Sequence, residues 1–132
     1  MPKFIAAFAA AVIVLCVGDF AWLGLIAKSF VKREIGALMY ETPRWLPIAL
    51  FYPMYAVALW VFAISPALDA GPWRSALLGA LFGLFCYATY DLTNLATLKG
   101  WSVSFALVDV AWGTLLSAAA AAAGNWAARH VG

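Results

Sequence analysis

Four apolar blocks, each long enough to cross a bilayer as a helix, limit this chain more than any other feature. They run from Phe4 to Ala27, Trp45 to Ile64, Ala76 to Leu98 and Trp101 to Gly124. A helix rises about 1.5 Å per residue, so ~20 residues cross ~30 Å of hydrocarbon. Charged residues make up 11% of the chain, against roughly 25% in a soluble domain, too few to coat a water-facing surface. The alternating ten-residue stretches of a membrane barrel are absent. The reading is an all-α polytopic membrane protein: a four-transmembrane-helix bundle in a single domain of 132 residues. Helices are predicted at about 4–27, 45–65, 73–98 and 101–126.

The first block resembles a signal peptide in having Lys3 ahead of it. However, its alanine-rich part (Ala6 to Ala11) precedes the most hydrophobic run, so no cleavage site follows. Leu15 also spoils a lipobox at Cys16. The segment is expected to remain as a span. A net charge of +2 is too small to point to nucleic acid. The basic residues still speak to topology. Lys28, Lys32, Arg33, Arg44 and Lys99 fall in the first and third connections, against Lys3, Arg74 and Arg129 on the other side. The bias puts those connections in the cytoplasm and both termini outside. Between the first two spans, Phe30, Val31, Ile35, Leu38 and Met39 share a helical face opposite Lys32, Arg33 and Glu34. That pattern predicts a short interfacial amphipathic helix.

Pro53 lies inside the second span, where it removes a backbone hydrogen bond and is expected to kink the helix. Gly79 and Gly83 in the third span, and Ser117 with the alanine run up to Gly124 in the fourth, let backbones approach closely. These faces serve either packing within the bundle or a homo-oligomer. Cys16 and Cys86 lie within spans and read as core residues. With one histidine, His130, a metal site is not expected, and no cofactor is specified.

Six acidic residues are present, and three of them, Asp19, Asp91 and Asp109, lie inside spans. Each ionised aspartate at mid-bilayer costs about 2.5–3.5 kcal/mol on insertion scales. They must therefore face one another, polar groups or water. Counting residues puts all three ~10–12 Å below one face of the membrane. Tyr52 of the second span falls near this depth. Tyr87, Asp91 and Asn94 share a stripe of the third span, flanked by Tyr90. The first and fourth spans echo each other, Asp19-Phe20-Ala21-Trp22 against Asp109-Val110-Ala111-Trp112. A pocket lined by Asp19, Asp91, Asn94 and Asp109, with Tyr52, Tyr87, Tyr90, Trp22 and Trp112 around it, would bind protons or a small cationic or amphipathic, lipid-like ligand. Alternatively the acids serve as general acid and base in a membrane enzyme or enzyme subunit. No nucleophile motif or phosphate loop accompanies them. A third reading is an interhelical clamp in a structural or assembly factor.

The run Tyr90-Asp91-Leu92-Thr93-Asn94-Leu95-Ala96-Thr97-Leu98-Lys99-Gly100-Trp101 is distinctive. Together with the Asp19-to-Gly24 and Asp109-to-Gly113 segments, it resembles a bacterial family of predicted four-helix membrane proteins catalogued only as a domain of unknown function. The resemblance covers nearly the whole chain. It implies a bacterial inner-membrane location and a setting in lipid chemistry, with lipid-modifying methyltransferases and oxidoreductases as partners. It brings no activity with it.

Overall fold

The computed structural model describes residues 1–131. Helix α1, Pro2–Ala21, continues through a π-helical turn, Trp22–Ile26, and α2 follows at Lys28–Ile35, ending in a 3₁₀ turn, Gly36–Leu38. Helix α3, Trp45–Leu59, also continues through a π-helical turn, Trp60–Ile64, and then a 3₁₀ turn, Ser65–Ala67. Helix α4 spans Pro72–Thr97 and α5 spans Val103–Arg129. Four of these helical stretches, 23 to 27 residues long, are long and apolar enough to cross a membrane. The distribution of polarity agrees. Phe20, Ile26, Leu50, Leu107 and Leu115 are exposed on the outside, while Ser75, Asp91, Ser117 and Asn125 are fully buried. Lipid welcomes the former and offers no partner to the latter, which must be satisfied inside.

Both termini and the α3–α4 connection sit at one end of the bundle. Lys3 Nζ donates to the carbonyls of Ala128 (3.1 Å) and Val131 (3.2 Å), and Arg129 Nη1 donates to that of Leu68 (2.8 Å). The first and third connections therefore lie at the opposite end. Helix α5 packs along both α4 and α1, and α1 packs on α3. Helices α3 and α4 scarcely meet; α4 reaches the second span mainly through the π-helical turn at Trp60–Ile64. The four spans thus form an arc whose last seam closes only near the terminal end.

Small residues set the tightest contact. A Cβ at Gly79 would lie 2.7 Å from the Ser117 carbonyl oxygen, and one at Gly83 would lie 2.6 Å from that of Gly113. Backbone atoms cannot step aside, so larger residues there would drive α4 and α5 apart. Gly124 is similarly packed against Ile64. Gly79, Gly83, Gly113, Ser117, Ala120, Ala121 and Gly124 of these small faces are buried within the one chain.

Helix α3 stays α-helical through Pro53 and departs from that geometry only at Trp60–Ile64. A π-helical turn diverts carbonyls from their usual partners. Here side chains supply donors: Ser75 Oγ donates to the Ala63 carbonyl (2.8 Å), and Asn125 Nδ2 donates to the Ala67 carbonyl and to Ser75 Oγ (both 2.9 Å). At the other end, Val31 and Ile35 of α2 are buried against Phe105, with Phe30, Trp22 and Trp101 beside them. Leu38 and Met39, expected on the same face, are exposed because the helix ends at Ile35 and the 3₁₀ turn redirects the chain. Ser102 fastens this cap. Its hydroxyl donates to Glu34 Oε1 (2.5 Å) and accepts the Phe105 N–H (3.0 Å) as the N-cap of α5.

Candidate functional site

Asp19 sits in the last turn of α1, just before the π-helical turn. Its Oδ2 accepts from the Tyr52 hydroxyl (2.5 Å) and its Oδ1 from Trp112 Nε1 (2.9 Å). One carboxylate therefore joins α1, α3 and α5. The π-helical turn swings Trp22 onto Trp112, and the indoles stack at 4.8 Å with planes 10° apart.

Asp91 and Asp109 form a second pole. Asp91 is fully buried, and its Oδ1 accepts from Trp101 Nε1 at 3.3 Å. The Asp109 side chain is its acidic neighbour on α5. Asp91 Oδ2, also buried, has no hydrogen-bond partner. Tyr90 meets Trp101 edge-on at 5.7 Å, and Trp101 meets Phe105 likewise at 5.5 Å.

A cavity of about 250 Å³ lies between the two poles, with Asp19, Asp109, Tyr87, Tyr90 and Trp112 in its wall and Val31 and Ile35 of α2 on its connection side. Tyr87 lies flat over Gly113, whose missing side chain makes room for the ring. The carboxylates do not line one pocket together as the sequence reading has it. Asp19 and Asp109 face the cavity, while Asp91 stands behind Asp109. Half-buried Asn94, a turn farther along α4, lies off the cavity wall. Tyr52 acts on Asp19, and Trp22 backs Trp112. The echo between the first and fourth spans does not extend to bonding, since Asp19 accepts from Trp112 while Asp109 accepts from neither Trp22 nor Trp112. Among the described residues no three His, Cys, Asp or Glu side chains gather as a metal site would require.

The chain matches a family model described as a predicted membrane protein (DUF2177) over residues 4–126. The chain belongs to the DUF2177 family. No curated protein and no solved structure matches it. The family's motif region contributes Asp91, Tyr90 and Trp101 to the site. Trp101 was legible there only as the end of a motif, not as a donor to Asp91. Sequence reasoning also passed over Ser75 and Asn125, and it placed Ser117 on the face of Asp109 and Gly113 without giving it a partner. Yet Ser117 Oγ bonds the buried Tyr55 hydroxyl at 2.6 Å. The available signal was a polar residue on the same helical stripe as the small ones.

Proposed function

We propose that the protein binds a small organic cation in the intramembrane cavity, with Asp19 and Asp109 facing the charge and Tyr87, Tyr90 and Trp112 supplying aromatic walls. The observation that carries this reading is two carboxylates on one cavity with no cation of the chain paired to them. Among the described residues the one salt bridge joins Arg33 and Glu34, outside the cavity. Carboxylates beside aromatic faces are the chemistry that holds ammonium groups. Size supports an organic ligand over a bare ion or a proton alone, because about 250 Å³ is several times the ~30 Å³ share of one water. Equilibrium binding of tetramethylammonium to protein in lipid nanodiscs tests the proposal. Saturable binding lost in Asp19→Asn supports it, and no saturable binding removes it.

A second reading rests on the Asp91–Asp109 contact. Two neighbouring carboxyl groups beside a ligand cavity can act as general acid and base on a lipid-like substrate. Its test is the lipid profile of a deletion strain complemented with Asp109→Asn. A profile unchanged by deletion counts against it. For orientation, the excess of Lys28, Lys32, Arg33, Arg44 and Lys99 supports the α1–α3 and α4–α5 connections in the cytoplasm and the termini outside a bacterial inner membrane.

A further inference from the structure

The seam between α3 and α4 has a second use. Where these helices part, a crevice of about 320 Å³ is lined by Phe51 and Tyr55 of α3 and by Cys86, Tyr87 and Tyr90 of α4. Its floor is aromatic: the Tyr55 ring lies 5.5 Å from Phe82 and 6.4 Å from Tyr87. Tyr87 and Tyr90 also stand in the wall of the carboxylate cavity, so the two spaces share a border. The crevice contains no charged side chain, and Tyr90 at its rim is half exposed on the lipid side. In contrast, the way in from the connection end is covered by α2, with Val31 and Ile35 buried.

We propose that this crevice holds the hydrocarbon tail of a single-chain ammonium amphiphile whose head occupies the Asp19–Asp109 cavity, so that the ligand arrives sideways from the bilayer between α3 and α4. This rests on the cation reading above and adds the second half of the ligand. Three features of the molecule argue for this occupant. The open seam faces lipid, its lining is apolar, and the border at Tyr87 and Tyr90 leads from that lining to carboxylates that have no cation of the chain beside them. A chain moving from lipid into an apolar crevice gains little by the hydrophobic effect. The charged head therefore supplies the selectivity, and the crevice supplies the path and the fit.

The test uses full-length protein in lipid nanodiscs and two probes, dodecyltrimethylammonium and tetramethylammonium. Cys86→Phe fills the crevice without touching the carboxylates. The wild type is expected to bind the long amine about tenfold more tightly than Cys86→Phe, a difference of about 1.4 kcal/mol. Both proteins are expected to bind tetramethylammonium alike. Partitioning of the long amine into the bilayer is common to both proteins and cancels. Equal affinity of the long amine for both overturns the crevice while the cavity reading stands. Binding of neither amine overturns the cavity reading and the tail placement with it. A second measurement needs no variant. Alkylation of Cys86 by N-ethylmaleimide, read by peptide mass with Cys16 as the internal control, should slow with the long amine and not with the short one. Absence of selective protection rejects the proposal.

Discussion

Replacing Asp19 separates a structural clamp from a charged site. In Asp19→Ala, the Tyr52 hydroxyl and the Trp112 N–H lose their acceptor, and the tie between α1, α3 and α5 goes with it. Interhelical hydrogen bonds in membranes contribute ~0.6 kcal/mol on average and at most about 1.7. The loss of two predicts that Asp19→Ala is less stable than Asp19→Asn by about 1–3 kcal/mol. Asp19→Asn is different. Its amide oxygen still accepts from Trp112, and its amide N–H can donate to the Tyr52 oxygen, which reverses its role. Like Asp19→Ala, the variant sheds a carboxylate whose ionised form costs about 2.5–3.5 kcal/mol at mid-bilayer on insertion scales. Its stability should stay within about 1 kcal/mol of wild type or rise, while tetramethylammonium binding falls about tenfold or more. Unfolding against the mole fraction of sodium dodecyl sulfate, followed by circular dichroism, measures the first quantity, and equilibrium binding in nanodiscs the second. The reasoning is refuted if Asp19→Ala is as stable as Asp19→Asn, because then the three-helix tie carries no energy. It is equally refuted if Asp19→Asn binds the amine as well as wild type.

Four further outcomes follow from the packing. A Cβ at Gly113 would lie 2.2 Å from the Tyr87 ring, so Gly113→Ala must displace Tyr87 and should cost about 1–3 kcal/mol in the same unfolding assay; an unchanged midpoint would mean that the ring does not lie there. Asn125→Ala strips the Ala67 carbonyl and Ser75 of a buried donor and should cost about 1–3 kcal/mol, with faster backbone amide exchange near the Trp60–Ile64 turn as a local readout. Trp101→Phe keeps the edge-on contacts with Tyr90 and Phe105 but removes the long 3.3 Å bond to Asp91; a loss below about 1 kcal/mol is expected, and a larger one would show that this bond is central to the site. Because Lys3 bonds the carbonyls of Ala128 and Val131, reporters fused to the two termini should register the same compartment, and opposite compartments would contradict the fold.

The four spans were legible because lipid imposes a length and a composition that hardly depend on neighbours. The amphipathic α2 was legible from its spacing, though not where it stops, because the 3₁₀ turn at Gly36–Leu38 follows from docking against Phe105 and Trp101. Buried aspartates also announced themselves, since three acids within apolar blocks demand partners. Which partners they take was not legible. Depth counting put Asp19, Asp91 and Asp109 at one level, but lateral pairing depends on how the helices are rotated and which of them touch.

From the sequence alone come a four-span helical membrane protein, a cap between its first two spans, and aspartates that must turn inward. Each follows from the cost of polar groups in hydrocarbon, a rule that acts on single segments. Only the tertiary structure decides that Asp19 ties three helices, that Asp91 meets Asp109, and that α3 and α4 part to leave an aromatic crevice beside the carboxylates. Those facts rest on Gly79, Gly83 and Gly113 drawing α4 onto α5, and on π-helical turns that rotate Trp22 and reroute the second span. Such close approaches depend on two helices at once, and no segment read by itself carries them.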